Sequence, residues 1–289
     1  VHAGVHRGPG ASPGKVIRYT ASVKLAGVLA ALAALALSAA VAHAGNDDAN
    51  LREVLGEYVE KYNGIARDLD WTREEVEGFY NALKALGWSG MIYGDDLAWE
   101  SDFERSDVGG YDYYYADAVD FAYFAGHGWP DSFWFGVNHD GDGAYQYRVH
   151  YSEVRWGDLD LEWIVISACE VLSRDDVFSR WGWPVFRGLH VVMGFQTDMY
   201  DMPIWISYPS AWESPGKRFV DYMTRPYSIG AAWVLTTIDW QPSDVIGAML
   251  AVYDPESNYY YWDDYLPGYG PMGPDKDSPP GLAYVEWQC

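Results

Sequence analysis

His127 and Cys169 are the residues of this chain best placed to do chemistry together. Each closes a short apolar run. Val119-Asp-Phe-Ala-Tyr-Phe-Ala-Gly126 ends in His127-Gly128, and Leu161-Glu-Trp-Ile-Val-Ile-Ser-Ala168 ends in Cys169-Glu170. A thiol becomes a nucleophile when a base takes its proton or a cation stabilises the thiolate, and imidazole serves either way. Backbone donors must also face the oxyanion that develops on the attacked carbonyl. Gly128 leaves its amide unobstructed by a side chain, and the amide of Cys169 at a strand-to-loop corner is a second donor. Base, donors and nucleophile make a minimal set for acyl transfer, one that requires no cofactor.

The two residues meet only if the runs are neighbouring strands. Short apolar runs bounded by turn residues read as strands buried on both faces, as in a parallel sheet. Ligands bind outside the carboxyl ends of such strands, where both residues lie. Around them, Leu51, Val54, Leu55, Tyr58, Val59 and Tyr62 recur at helical spacing. Thr72-Arg-Glu-Glu75 reads as a capping box, followed by a stripe of Val76, Phe79, Tyr80, Leu83 and Leu86 and a stop at Gly87. Trp88–Tyr93 and Leu189–Phe195 read as further strands, and Val177–Trp183 as a short helix. Gly216–Met223 and Ser228–Leu235 read as helices, the second running on to about Ile238. Asp244–Val252 suits strand or helix, and Leu282–Trp287 an edge strand. The alternation predicts an α/β fold with a largely parallel central sheet flanked by helices.

The strand-end pieces carry a resemblance. Phe121-Ala-Tyr-Phe-Ala-Gly-His127-Gly128 and Trp163-Ile-Val-Ile-Ser-Ala168-Cys169-Glu170 resemble the caspase, legumain and gingipain clan of cysteine peptidases. The Ala-Cys-Glu step is most similar to that of legumains. The chain also resembles an uncharacterised group of exported prokaryotic proteins, a domain of unknown function. That group carries Trp-Gly-Asp-Leu-Asp-Leu-Glu-Trp before the cysteine, here Trp156 to Trp163, and Gly-Leu-His after it, here Gly188 to His190. The clan resemblance implies a caspase-like domain over residues 88–253 and a His127/Cys169 dyad that hydrolyses peptide bonds of a polypeptide substrate through a thioester. Gly128 and Cys169 would supply its oxyanion donors. It also implies that a backbone carbonyl can orient the histidine where no acid does. Trp129-Pro130 departs from the smaller residues that commonly follow His-Gly, and no specificity pocket follows from any motif.

Weaker site residues surround the pair. Trp129 and Glu170 flank the two chemical residues, and Asp198 stands at another strand end. Glu170 either binds a basic substrate side chain or faces solvent. Asn138-His-Asp140-Gly-Asp142-Gly143 places oxygen donors at alternate positions, as in the first half of a calcium loop. Val149 at the twelfth position is not the bidentate Glu of an EF-hand, so an Asp/Gly hairpin turn is the competing reading. His190 precedes a strand and reads as a packing or hydrogen-bonding residue. No ligand spacing typical of zinc is present.

Composition bounds the rest. Lys+Arg 19 against Asp+Glu 42 gives −23, too acidic for a nucleic-acid binder that relies on phosphate neutralisation. Residues 1–44 hold Arg7, Lys15, Arg18 and Lys24, an apolar run from Leu25 to Ala40, and Ala42-His-Ala44. This is the pattern of a secretory signal peptide cleaved after Ala44, leaving no membrane span. Met91 is the first methionine, which points to a non-AUG start, with Val16 giving the more ordinary leader. Residues 45–87 read as an N-terminal helical segment and 254–289 as a Tyr/Pro/Gly-rich loop with an edge strand. The two cysteines, Cys169 and Cys289, do not make a disulfide framework, although a bridge between them would silence the nucleophile. With 24 Tyr and 15 Trp, the competing function is a catalytically inactive extracellular module that binds glycan or protein. Its platforms would be Phe133-Trp-Phe135 and Tyr259-Tyr-Tyr-Trp262.

Overall fold

Five short apolar runs pair side by side in parallel and form the middle of the molecule. The computed structural model describes residues 2–7, 52–139, 145–207 and 210–289. In chain order the strands are β1 (His2–Arg7), β2 (Glu53–Tyr58), β3 (Ser89–Gly94), β4 (Phe121–Ala125), β5 (Gly128–Trp129), β6 (Ser132–Trp134) and β7 (Arg148–His150). They continue as β8 (Trp163–Ser167), β9 (Val191–Phe195), β10 (Ile204–Ser207), β11 (Ser210–Glu213), β12 (Ile246–Asp254), β13 (Tyr259–Tyr260) and β14 (Gly281–Gln288). The main sheet runs β1-β14-β12-β9-β8-β4-β2-β3, with β13 hydrogen-bonded to β12. From β9 to β3 every pairing is parallel; β12, β14 and β1 add antiparallel strands. This is a mixed α/β fold with a mostly parallel central sheet flanked by helices.

Alternation along the central strands explains why both faces are covered. Phe121, Tyr123, Trp163, Val165, Val191 and Met193 meet three helices, α1 (Thr72–Ala85), α2 (Pro215–Met223) and α3 (Ile229–Trp240). Ala122, Phe124, Ile164, Ile166 and Val192 point the other way, onto Phe103, Phe133, Phe135, Trp156 and Trp181. That second layer consists of 3-10 turns between Asp95 and Ala118, a π-helical turn at Phe178–Gly182 and the small β5-β6-β7 sheet. Each large side chain fully buried this way contributes roughly 1.5–3 kcal/mol. Phe133 and Phe135 are fully buried, as is Tyr261, so each expected surface platform gives part of its ring area to the core, while Trp134, Tyr259, Tyr260 and Trp262 stay half-buried.

Three expectations are corrected. The segment expected to be helical at residues 45–87 is helical at α1, but its Glu53–Tyr58 stretch forms β2, between β4 and the outer strand β3. A short apolar run buried on both sides has no decisive period, and Gly56 is where α1 crosses, since a Cβ there would lie 2.7 Å from Val76 Cγ1. The sheet therefore begins before residue 88. The capping box at Thr72 does not form: the Thr72 hydroxyl donates to the Val59 carbonyl at 3.1 Å, and Glu75 turns inward to Tyr123. Finally, β14 is flanked on its outer side by β1, so it is not the edge. The expected leader otherwise lies outside the described residues, as do Asp140 and Asp142 of the calcium-like loop. Among the described residues, no helix is long and apolar enough to cross a membrane.

Candidate active site

Strand register brings His127 and Cys169 together. β4 and β8 are parallel neighbours with Ala125 opposite Ser167, and His127 and Cys169 each follow two residues later. Gly126 N–H still donates to the Ser167 carbonyl at 3.2 Å, carrying the ladder one step past the strands. Beyond it Gly128 lies on the cysteine: a Cβ at Gly128 would stand 2.6 Å from both the Cys169 carbonyl oxygen and the Ala168 Cβ. Glycine is the residue that lets the β5–β6 hairpin seat there. In that hairpin Trp134 N–H donates to the His127 carbonyl at 2.9 Å. Hydrogen-bonded and non-hydrogen-bonded pairs alternate in antiparallel ladders, so the Gly128 amide, opposite Phe133, points away from β6.

The histidine is held on three sides. Its backbone N–H donates to Tyr62 Oη at 2.6 Å, and that hydroxyl donates to the Trp134 carbonyl at 3.2 Å. The Tyr62 ring lies 4.6 Å from the imidazole, centroid to centroid. On the ring, Nε2 lies 2.7 Å from the Arg67 carbonyl oxygen. A carbonyl only accepts, so Nε2 carries a proton, and Nδ1 is the nitrogen able to exchange one. The loop that brings Arg67 is fastened by Asp68, whose carboxylate accepts from Tyr62 N–H at 3.0 Å and pairs with Lys61 at 3.2 Å.

His127 and Cys169 line one cavity of about 370 Å³, together with Gly126, Ser167, the Arg67–Asp70 loop, Thr72, Glu75 and the Met199–Met202 loop. Burial pushes the Cys169 thiol up; the Met199 amide opposes this, and the charges of Asp198 and Glu170 add to it. The resting cysteine is thus a thiol that needs a base. Both cysteines are free, so no bridge occupies it. Glu75 forms a buried wall of the cavity, its carboxyl pushed up to about 8 by burial against the hydrogen bond from Tyr123. The Ser167 hydroxyl stands close enough to bias both groups, yet without a well-formed hydrogen bond. Asp201 is raised by burial, opposed by the Asp70 and Trp71 amides, and it feels His127. Its carboxylate accepts from Asp70 N–H at 2.5 Å and Trp71 N–H at 3.1 Å. Asp201 therefore fastens the two residues that lead into α1.

The weaker residues divide. Asp198 adjoins the thiol, as its effect on Cys169 shows. Glu170 turns the corner after Cys169 with φ 58 and donates its N–H to the Thr197 carbonyl at 3.0 Å. Such left-handed backbone in a non-glycine residue is costly and clusters at functional corners. Trp129 is exposed on β5 and is not among the residues lining the cavity. Asn138 also stands apart from it, and another group of hard donors exists: Glu53, Asp120 and Asp160 bring one oxygen each within 4.8 Å of one another. That group sits at the amino ends of β2, β4 and β8, opposite the cavity. His190 is a core residue held between Asp264 at 2.6 Å and Asp275 at 3.0 Å. Sequence reasoning missed Tyr62, the Arg67 carbonyl, Glu75 and Asp201. A backbone carbonyl leaves no residue signature, and Glu75 is disguised as a capping residue.

The profile of one family, described as Domain of unknown function (DUF6345), matches residues 56–288. The match runs from within β2 to the end of β14 and spans every described wall of the cavity. No curated protein matches the chain.

Proposed function

We propose that this chain, which belongs to the DUF6345 family, is a cysteine endopeptidase of caspase-like architecture with His127 and Cys169 as its dyad. The observation that carries this reading is the β4–β8 register, which sets both residues at adjacent strand ends on one cavity, with the imidazole oriented by the Arg67 carbonyl. The caspase-like assignment draws further support from chain order: strand and His-Gly, strand and Ala-Cys, a third strand, then helices.

In this reading Cys169 Sγ attacks the carbonyl carbon of the scissile peptide bond as its proton passes to His127 Nδ1. The C–N bond breaks, the imidazolium gives that proton to the leaving amine, and a thioester joins Cys169 to the acyl portion. Water then attacks the thioester with His127 as base, releasing the carboxylic acid and restoring the thiol. The Gly128 and Cys169 amides hold the oxyanion at each tetrahedral stage. No step calls on a metal or cofactor. The substrate is a polypeptide, and the thiol's raised pKa makes the base essential.

Alkylation by iodoacetamide at neutral pH, followed by mass spectrometry with Cys289 as internal reference, tests the dyad. Cys169 should react at least about tenfold faster than in His127→Ala. Equal slow rates in the two proteins would refute an activated dyad and favour an inactive binding module. Export with cleavage after Ala44 belongs to the same proposal and rests on the leader pattern; the cut would remove β1 and leave β14 at the edge of the sheet. N-terminal sequencing of protein recovered from outside the cell checks it.

A further inference from the structure

Trp205 and Trp212 face one another across the β10–β11 hairpin, 53% and 57% exposed, with ring centroids 4.4 Å apart. Trp71, at the start of α1, stands 6.4 Å from Trp212 and is tilted by 43°. Between Trp71 and Trp212 runs a groove of about 290 Å³, walled also by Pro203 and, on the α1 side, by Glu74 and Glu77. Its floor is fixed: a Cβ at Gly78 would overlap Ser214 Oγ, and Ser214 caps α2 while donating to the Glu75 carbonyl at 3.2 Å.

The groove adjoins the cavity. Asp70 and Met202 line the cavity, and their chain neighbours Trp71 and Pro203 line the groove. The Asp201 carboxylate clasps the amides of both Asp70 and Trp71, so the shared wall is firm. Among the described residues lining the groove none is a lysine or arginine. Glu213 on its rim is already paired with Arg218 and Lys217. Among the described residues Glu74 pairs with the exposed Arg73 at 3.2 Å, a pair worth little in water. Indole faces beside carboxylates suit a cationic side chain, which gains from the ring quadrupole and the charge together. A chain of net charge −23 adds long-range attraction of the same sign.

We infer that this groove is a subsite for a lysine or arginine side chain of the polypeptide substrate, flanking the scissile bond. The cationic head lies over Trp212, and Glu74 and Glu77 supply the countercharge. That the bound segment is substrate rests on the peptidase reading; that the groove binds a basic peptide does not.

The test uses the full chain carrying Cys169→Ala, which binds without turnover. Fluorescence anisotropy is read with a tagged decapeptide alternating glycine and arginine, and with its glycine–glutamate counterpart. The arginine peptide should bind more tightly, weaken in about 0.5 M salt, and lose about five- to tenfold affinity on Trp212→Ala or on Glu74→Gln with Glu77→Gln. Trp212 is exposed, so its removal leaves the core intact. Equal binding of the two peptides, unchanged affinity in these variants, or displacement of the peptide by a neutral oligosaccharide would overturn the inference. Arginine-peptide binding that depends on Trp212, alongside His127-independent alkylation of Cys169, would support the groove while removing the peptidase reading.

Discussion

His127 Nε2 lies 2.7 Å from the carbonyl oxygen of Arg67, and this contact places the ring proton on Nε2 and leaves Nδ1 for the proposed dyad. Because the partner is main chain, the arginine side chain is dispensable for orientation, whereas the loop that carries it is not. Arg67→Ala should leave the alkylation rate of Cys169 within about twofold, as for surface substitutions generally. Asp68→Ala, which frees the loop from Tyr62 N–H and Lys61, should slow alkylation. The reverse ranking would show that the arginine charge, and not the carbonyl, sets the site.

Tyr62 is a positioning residue. Its buried hydroxyl accepts from His127 N–H and donates to the Trp134 carbonyl, so Tyr62→Phe strands both a donor and an acceptor. Chemical denaturation should show a loss of about 1–3 kcal/mol. A merely structural role would leave the pH dependence of Cys169 alkylation unchanged. Loosening of His127 should instead move that profile toward the one seen in His127→Ala.

Gly128→Ala tests the packing of the β5–β6 hairpin on the Cys169 corner. The added methyl meets the Cys169 carbonyl oxygen and Ala168 Cβ at 2.6 Å and Val171 Cγ1 at 3.0 Å, all on elements with little room to yield. Overpacking of this kind costs roughly 1–3 kcal/mol, readable in urea unfolding. An unchanged midpoint would mean that the hairpin does not rest on the cysteine as described.

The pair at the strand ends was legible in the sequence because parallel strands buried on both faces leave continuous apolar runs, and their carboxyl ends are where loops carry chemistry. β2 was not legible. Val54 and Leu55 fit helical spacing as well as a strand, and only the position of α1 over Gly56 resolves the choice. The cavity walls were hidden for a different reason. Glu75 and Asp201 act across long sequence separations, and their partners, the Tyr123 hydroxyl and the Asp70 and Trp71 amides, exist only once the sheet is assembled. The aromatic clusters divided because high aromatic content says nothing of side: Phe133, Phe135 and Tyr261 went to the core, while Trp205 and Trp212 stayed outside.

Glu75 makes stability pH-dependent from inside the cavity. Its native pKa of about 8 exceeds the unfolded value of 4.5, so the native state holds a proton that the unfolded chain releases. Its contribution is fully present below about pH 4.5 and is lost as pH rises through 8. Glu75→Gln, which needs no proton, should therefore gain relative to the parent chain by up to about 4 kcal/mol between pH 4.5 and 8. Parallel stability curves for the two proteins over that range would refute a neutral Glu75.

His190 works in a higher window and by a different cause. Burial alone pulls its pKa down, but the carboxylates of Asp264 and Asp275 outweigh it, and the imidazole titrates at about 9 against 6.5 unfolded. Asp264 is itself fastened, accepting from Tyr259 Oη and Gly273 N–H at 2.8 Å each, so it cannot swing away when the histidine loses its charge. The native state thus binds the proton more tightly than the unfolded chain. The stabilisation is complete below about pH 6.5 and disappears as pH rises through 9. It amounts to about 3 kcal/mol at most. Urea midpoints measured from pH 6 to pH 10 should fall for the parent chain, and the gap between it and His190→Gln should narrow over the same range. Since β9 begins at Val191 and pairs directly with β8, local loosening above pH 9 should also raise amide exchange in β9 before the outer β3. Exchange rates that rise together in both strands, with a constant gap to His190→Gln, would show that the ion triad does not govern the alkaline limb.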